Sequence, residues 1–255
     1  MNIPTLKAPI VLVHGLLGYD RITIGPWLAW DYFRGIGAAL GAAGNRVLVP
    51  KLSPTAGVEQ RAGQLRRFLD RHAPREPVHL IAHSLGGLDA RFMIGPLGMD
   101  KRVLSLTTIG TPHRGSPFAD WGMRRFEAFV RPFMQALYIP YLAFRDLTTA
   151  ACRSLNERMP FVPGIRYFSV AGRCEGPWLT LPWRLPHAIV ARAEGDNDGV
   201  VSIASATYGE HTEIWDGDHL NLINIPNHAA RRRRLWTDRA PLYAGLVRRL
   251  ADCGF

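Results

Sequence analysis

Residues 77–87 have the sequence Pro77-Val78-His79-Leu80-Ile81-Ala82-His83-Ser84-Leu85-Gly86-Gly87. The apolar run at the start of this stretch predicts a strand that is covered on both faces. Gly86 and Gly87 follow it, and because they lack a Cβ a helix can pass close behind a sharp turn. The pattern is that of a nucleophile elbow, G-x-S-x-G, with Ala82 in place of the first glycine. It predicts that Ser84 is an activated nucleophile rather than a serine of an ordinary glycine-rich turn.

The composition indicates a globular chain with a full core. Of the 255 residues, 47% are hydrophobic and 20% are charged, which excludes a disordered protein. No run approaches the roughly 18 apolar residues that a transmembrane helix needs. A strand pattern at 9–13 follows the first residues directly and leaves no room for a signal peptide before it. We therefore expect a cytoplasmic protein, or else a sequence that begins at a processed start.

Arginine carries the net charge of +10, since only three of the 31 basic residues are lysines. The run Arg231–Arg234 could contact phosphates or an anionic membrane. No nucleic-acid-binding motif accompanies the run, so we expect a solvated surface there and no nucleic-acid partner.

The three cysteines, Cys152, Cys174 and Cys253, include no C-x-x-C pair, so neither a zinc cluster nor a thioredoxin-type site is indicated. A Cys152–Cys174 disulfide is one alternative. Free thiols are the expectation in a chain without a secretion signal.

Strand and helix patterns alternate along the first 110 residues. The strand patterns lie at 9–13, 45–52, 78–81 and 103–109, and the helix patterns at 28–40, 58–69 and 85–93. In the helix at 58–69 the arginines are assigned to the outer face. Further strand patterns occur at 165–171 and 213–215, and a helix closes the chain. Such alternation predicts a parallel sheet with right-handed crossovers and a ligand site at the carboxyl ends of its strands.

This alternation stops between residues 117 and 163. Phe126, Phe129, Phe133 and Leu137 recur there at helical spacing. Because this aromatic segment follows a strand end directly, we expect a lid over an apolar pocket, lined by these four residues. An ordinary packed helical layer is the alternative. The prediction for the whole chain, residues 1–255, is one domain with a lid inserted at about 117–163.

The candidate base is found from the order of residues in the chain. A serine hydroxyl needs a base to remove its proton, and behind an elbow the order is serine, acid, histidine. Three histidines, His211, His219 and His228, come late enough. His211 precedes the strand at 213–215, at the wrong end of the sheet, and His228 begins a basic helix. His219 follows that strand and is predicted to be the base.

The candidate acid is Asp198, in the turn Asn197-Asp198-Gly199 after a strand-like run. Asp196, two residues earlier, is the alternative. Attack on a carbonyl also needs amide donors for the developing oxyanion. We assign these to the backbone N–H groups of Leu85, at the start of the elbow helix, and Leu16, with Leu17 as a competitor for the second.

Together these motifs resemble the bacterial true lipases of the Pseudomonas and Burkholderia type, in the α/β-hydrolase superfamily. The matching segments are Val11–Leu16, Ala82–Gly87, Gly110–Ser116 with Phe118–Asp120, Asn197–Ser202 and His219–Asn221. The resemblance implies an α/β-hydrolase fold: a mostly parallel sheet flanked by helices, with an inserted, mobile helical lid over an acyl pocket. It also implies a Ser84-Asp198-His219 triad with oxyanion amides at Leu16 and Leu85.

One departure from the family concerns metal. The family's structural calcium uses an aspartate two residues after the catalytic histidine, where this chain has Asn221. A second calcium aspartate upstream of Asp198 is also missing from the sequence. We therefore predict no metal, and the motifs call for no cofactor.

These observations predict a serine carboxylic-ester hydrolase, a lipase or long-chain esterase that cleaves hydrophobic esters through an acyl-serine intermediate. The lid would make transient contact with a lipid interface. Short-chain esterase, polyester depolymerase and thioesterase are alternatives on the same triad. A non-catalytic lipid-binding module on this fold is the alternative from a different class.

Overall fold

A computed structural model describes residues 3–16, 21–24, 28–126, 141–176, 179–232, 234 and 236–255. Its main sheet has six strands: β1 (Ile10–Val13), β4 (Val47–Leu48), β5 (Val78–His83), β6 (Val103–Ile109), β7 (Arg166–Arg173) and β8 (His211–Asp216). All neighbouring pairs are parallel, in the order β4-β1-β5-β6-β7-β8. The carboxyl ends of β5 and β8 therefore lie at the same edge of the sheet, with β6 and β7 between them.

Helices connect these strands, and the last two of them follow β8. They are α1 (Ile36–Ala42), α2 (Val58–His72), α3 (Leu85–Ile94), α4 (Pro117–Phe126), α5 (Tyr141–Arg145), α6 (Thr149–Arg158), α7 (Leu181–Glu194), α8 (Ile203–Ala206), α9 (His228–Arg232) and α10 (Ala240–Asp252). None of the helices in the described residues is long and apolar enough to cross a membrane.

The sheet separates two hydrophobic cores, as β1 shows most clearly. Val11 and Val13 belong to the core that contains α2 and α3, whereas Ile10 and Leu12 belong to the core that contains α1 and α10. All four side chains are fully buried. Because successive side chains of a strand point to opposite faces, β1 must be apolar throughout, which is why its sequence does not alternate.

Residues 28–40 do not form the single helix that their sequence pattern predicts. Strand β3 (Leu28–Asp31) instead pairs antiparallel with β2 (Arg21–Ile24) in a separate two-stranded sheet. The helix α1 begins only after Gly35, whose φ of 71° a non-glycine residue adopts at a cost. Leu28 and Tyr32 are four residues apart, but this helix-like spacing is a coincidence, since Leu28 lies in a strand. The strand predicted at 45–52 is also shorter, since β4 has two residues.

The described part of the segment predicted as a lid contains three helices, with a short turn between the second and the third. Within 117–163 these helices are α4, α5 and α6, and α4 packs against α7. Of the four lid residues named from the sequence, Phe129, Phe133 and Leu137 lie outside the described residues, as does the side chain of Phe126. The three cysteines are free thiols, as expected.

Candidate active site

Ser84 occupies the turn between β5 and α3. Its backbone has φ 55° and ψ −130°, a strained conformation for a residue with a side chain. Two hydrogen bonds hold the turn from the next strand: Ser84 N–H donates to Ile109 O at 2.9 Å, and Thr111 Oγ1 donates to Ser84 O at 2.9 Å. The strain is therefore maintained by the surrounding structure, as a nucleophile elbow requires.

Close backbone approach explains the glycines around this turn. A Cβ on Gly86 would lie 2.7 Å from His14 O, and one on Gly87 would overlap Thr111 Oγ1. A Cβ on Gly15 would lie 2.7 Å from Ser84 Cβ. The loop after β1 thus lies directly against the serine, and only glycine fits at these contacts.

His219 and Asp198 form the second half of the site. His219 Nδ1 lies 2.6 Å from Asp198 Oδ2, and the fully buried Asp198 also accepts the N–H groups of Val200 and Val201 through Oδ1 at 3.0 and 2.8 Å. A carboxylate so arranged holds the proton of the imidazole on Nδ1, and Nε2 is left as the basic nitrogen. The backbone reinforces this pair, because His219 N–H donates to Asp198 O at 2.8 Å.

The structure brings the serine and the histidine pair to the same place. The ring of His83, the residue before Ser84, lies 4.5 Å from the ring of His219. A Cβ on Gly110, at the end of β6, would lie 3.1 Å from Asp198 Oδ2 and 3.2 Å from His219 Nδ1. The three candidate catalytic residues therefore converge at the carboxyl edge of the sheet.

The alternative residues lie elsewhere. Asp196 is exposed, and its backbone carbonyl accepts the N–H of Ile203. His211 is exposed at the first residue of β8, the end of the sheet remote from Ser84, and His228 is the first residue of α9. The geometry favours Asp198 and His219.

The loop after β1 has a fixed backbone. His14 Nε2 accepts the N–H of Leu52 at 3.0 Å, so Nδ1 carries the proton and donates to Gly15 O at 3.0 Å. In a trans peptide the N–H points opposite to the C=O, so the N–H of Leu16 points away from the His14 ring. The N–H of Gly15 is already bonded to Tyr32 Oη at 3.1 Å.

This arrangement leaves the Leu16 amide available as an oxyanion donor, while Leu17 lies outside the described residues. Leu85 is the first residue of α3, so its N–H has no intrahelical partner. Both amides that the sequence analysis assigned can therefore serve as donors at this edge.

A buried ion pair supports the same loop and was missed by the sequence analysis. Arg61 of α2 donates to His14 O at 2.7 Å, to Ser53 O at 2.6 Å and to Asp89 Oδ2 at 2.8 Å. Arg61 and Asp89 are both fully buried, and burial raises the pKa of Asp89 to about 7 although the guanidinium opposes this. The assignment of all arginines of this helix to its outer face is thus wrong for Arg61. Its position beside Val58, Ala62 and Leu65 in the apolar stripe was the available signal.

Side-chain hydrogen bonds hold the turn that carries His219. Asp218 Oδ1 accepts the N–H groups of Leu220 and Asn221 at 3.0 and 2.9 Å, and its Oδ2 accepts from Asn227 Nδ2 at 2.8 Å. Asn221 in turn accepts the N–H of Asp218 at 2.8 Å and donates to Ile225 O at 2.8 Å. We name residues 216–227 the histidine turn.

The hydrogen-bonding groups of the histidine turn do not fit the calcium ion that the family resemblance implies. The Asn221 carboxamide presents an N–H group to Ile225 O, and an N–H donor repels a cation where the family has a carboxylate. Within the described ranges no three acidic, histidine or cysteine side chains are grouped to hold a metal.

The chain is similar in sequence to several triacylglycerol lipases. It is 37% identical over 286 residues to a triacylglycerol lipase of Vibrio cholerae, covering 97% of this chain and 89% of the relative. It is 30% identical over 269 residues to triacylglycerol lipase 2 of Saccharomyces cerevisiae, covering 87% and 81%. A triacylglycerol lipase of Pseudomonas fragi is 29% identical over 298 residues and is covered to 97% on both sides. No protein-family model matches the chain.

Solved structures agree on the fold. A Bacillus licheniformis lipase superimposes with a TM-score of 0.70 at 23% identity, covering 94% of this chain and 92% of that one. A Staphylococcus hyicus lipase gives a TM-score of 0.71 at 16% identity, covering 97% and 95%. The fold is therefore the α/β-hydrolase fold. The chain belongs to the triacylglycerol lipase family of serine ester hydrolases, and it is a carboxylic-ester hydrolase.

Proposed function

We propose that this enzyme hydrolyses long-chain acyl esters, triacylglycerols among them, through an acyl intermediate on Ser84. The observation that carries the proposal is the short, buried Asp198–His219 hydrogen bond at the sheet edge where the strained Ser84 turn lies. The imidazole supplies the base, the serine on the elbow supplies the nucleophile, and the carboxylate orients the imidazole and stabilises its charged form.

Acylation follows from this arrangement. Ser84 Oγ attacks the ester carbonyl while His219 Nε2 takes the hydroxyl proton, and Asp198 stabilises the resulting imidazolium. The carbonyl oxygen becomes an oxyanion, which the N–H groups of Leu16 and Leu85 receive. When the tetrahedral intermediate collapses, the C–O bond to the alcohol breaks and His219 donates its proton to the departing alkoxide.

Deacylation reverses the proton path. Water attacks the acyl-Ser84 carbonyl, and His219 Nε2 removes a proton from that water. The second tetrahedral intermediate collapses to release the fatty acid, and the proton returns from His219 to Ser84 Oγ. The enzyme is regenerated without a cofactor.

A hydrophobic substrate and contact with a lipid interface are supported by the surface beside the histidine turn. A cleft of about 380 Å³ lies there, lined in part by Leu181, Leu220 and Ile225. Leu181 is 77% exposed and Leu220, which follows the base, is 37% exposed. Exposed leucines next to a site are suited to an apolar chain or a lipid surface. We further propose that the lid predicted from the sequence, with Phe126, Phe129, Phe133 and Leu137, contacts the lipid interface.

The test is hydrolysis of p-nitrophenyl esters from acetate to palmitate, and of a triacylglycerol emulsion, by wild type and Ser84→Ala. We expect activity that increases with acyl length and that falls by at least about 10³-fold in the variant. Full activity in Ser84→Ala would disprove the mechanism. A maximum at acetate would show a short-chain esterase, and the long-chain proposal would then be wrong.

A further inference from the structure

A chain of three hydrogen bonds runs behind Ser84 from the loop after β1 to the histidine turn. Gly15 N–H donates to Tyr32 Oη at 3.1 Å, Tyr32 Oη lies 2.8 Å from His83 Nδ1, and His83 Nε2 lies 3.1 Å from His219 O. Tyr32 is 4% exposed and His83 is fully buried. The chain therefore connects the two backbone segments that flank the serine without passing through solvent.

The partners in this chain of hydrogen bonds determine which of its nitrogen and oxygen atoms carry a hydrogen. A backbone carbonyl only accepts, so His83 Nε2 must carry a hydrogen and donate it to His219 O. In the neutral ring Nδ1 is then an acceptor, and the Tyr32 hydroxyl donates to it. Burial lowers the pKa of His83 well below its usual value, and the neighbouring His219 adds to this, so the ring is neutral. Burial also raises the pKa of Tyr32, so the phenol keeps its proton.

Each end of the chain fixes a peptide that matters for the reaction. At one end, Tyr32 holds the N–H of the His14–Gly15 peptide, whose carbonyl is held by Arg61 at 2.7 Å. The next peptide supplies the Leu16 N–H. At the other end, His83 holds the carbonyl of His219 itself. Gly15 has no side chain to restrict its rotation, so this hydrogen bond adds a restraint to those that Arg61 supplies at His14 O and His14 Nδ1 supplies at Gly15 O.

We propose that Tyr32 and His83 are positioning residues, which keep the Leu16 amide and the His219 ring in register on either side of Ser84. The inference rests on the proposed roles of Ser84 and His219. Neither residue contacts the reacting atoms in this account. Their effect is to keep the oxyanion donor and the base aligned with the same serine, which is worth more in the transition state than in the bound substrate.

A second buried tyrosine of the protein provides a matched control for Tyr32→Phe. Tyr243 is also fully buried in the same hydrophobic core, and its hydroxyl donates to Leu222 O at 2.9 Å. Tyr243→Phe removes the same group from the same core without touching Gly15 or His83. Its partner Leu222 O lies in the histidine turn but takes no part in the Asp218 and Asn221 side-chain bonds that hold His219 there, so this control also shows whether any lost hydroxyl near the base lowers kcat. Both variants should lower the melting temperature by similar amounts.

The kinetic test compares these variants on a p-nitrophenyl ester. We expect Tyr32→Phe to lower kcat by about 10- to 100-fold with KM changed by less than about threefold, and Tyr243→Phe to leave kcat within about twofold. His83→Gln can still donate to His219 O and accept from Tyr32, so it should retain more activity than His83→Leu. Equal kcat in Tyr32→Phe and Tyr243→Phe would overturn the inference. Equal losses of kcat in His83→Gln and His83→Leu would also overturn it.

A second measurement separates this inference from the proposed function. Amide hydrogen exchange of Gly15 in ¹⁵N-glycine-labelled protein should be at least about tenfold faster in Tyr32→Phe than in wild type or Tyr243→Phe. Unchanged exchange would overturn the positioning role even in a fully active enzyme. Faster Gly15 exchange in Tyr32→Phe would support the restraint on Gly15. If Ser84→Ala then hydrolysed esters as well as wild type does, the proposed function would be wrong and the restraint would still stand.

Discussion

The turn that carries Ser84 and the turn that carries His219 are held in place by different physical means. Backbone packing holds the first: the Ser84 turn is clamped between neighbouring strands, and Gly86 lies where any Cβ would meet two carbonyl oxygens. Side-chain hydrogen bonds hold the second, through Asp218 and Asn221. One turn is therefore sensitive to added volume, and the other to lost or reversed hydrogen bonds.

The largest expected effect comes from adding one carbon to the Ser84 turn. In Gly86→Ala the new Cβ would lie 2.7 Å from His14 O and 2.8 Å from Val13 O, both backbone atoms that cannot rotate away. We expect a loss of about 3 kcal/mol in the free energy of unfolding, measured by urea denaturation.

The control for this prediction is Gly245→Ala in α10, where an added Cβ meets nothing within 4 Å. That variant should gain about 0.5–1 kcal/mol, because alanine is the better helix former. If Gly86→Ala were as stable as Gly245→Ala, steric clamping of the Ser84 turn would be disproved.

The opposite end of the strand that leads into Ser84 should respond to acid. Burial lowers the pKa of His79 to about 4, below the value of about 6.5 in an unfolded chain. The unfolded state therefore takes up the proton first, and stability present above pH 6.5 is lost as the pH falls towards 4. Between pH 7 and pH 4 the free energy of unfolding should therefore fall by about 2–3 kcal/mol more in wild type than in His79→Gln.

This change should affect stability alone, since His79 is at the amino end of the sheet and bonds to Ser105 Oγ at 2.8 Å. Parallel pH titrations of the unfolding free energy test it. The same pH dependence in both proteins would mean that His79 does not titrate as this burial requires.

A moderate effect is expected from reversing one hydrogen bond in the histidine turn. In Asp218→Asn an amide would replace Oδ2 and would face the Nδ2 donor of Asn227. We expect a loss of about 1–2 kcal/mol in stability and about tenfold in kcat, because the turn positions the base.

The double variant Asp218→Asn, Asn227→Asp restores a donor and an acceptor with their places exchanged. It should recover most of the loss in both measurements. A double-mutant cycle that shows no coupling between the two positions would contradict a side-chain-held histidine turn.

The smallest effect, near zero, is expected from removing metal ions. Because Asn221 bonds Ile225 O directly, the histidine turn needs no cation to hold it. Dialysis against EDTA should change neither the melting temperature nor kcat, and added calcium should not restore or raise either. A drop in the melting temperature that calcium reverses would show that the turn is metal-held.

The same comparison explains what the sequence could predict. The Ser84 turn is encoded locally, since an apolar strand, a serine and two glycines lie within 11 residues, and all of its elements were predicted correctly. The order of acid and base along the chain then led to Asp198 and His219, which the structure places 2.6 Å apart. Local patterns suffice where one segment makes its own geometry.

Long-range contacts were not accessible in this way. Arg61 bonds to His14, 47 residues away, and Tyr32 bonds to His83, 51 residues away, so no local pattern reports either pair. Periodicity also failed at residues 28–31, where apolar residues spaced as in a helix form a strand paired with 21–24. The helix itself begins only after Gly35.

Labelling with a fluorophosphonate tests the central claim most directly, because phosphonylation needs an activated serine but no turnover. The serine oxygen forms a bond to phosphorus and fluoride leaves. We predict a single adduct on the peptide that contains Ser84, and a labelling rate at least about 10³-fold lower in His219→Ala. An adduct on another residue, or equal rates in the two proteins, would contradict the assignment of Ser84 and His219 as nucleophile and base.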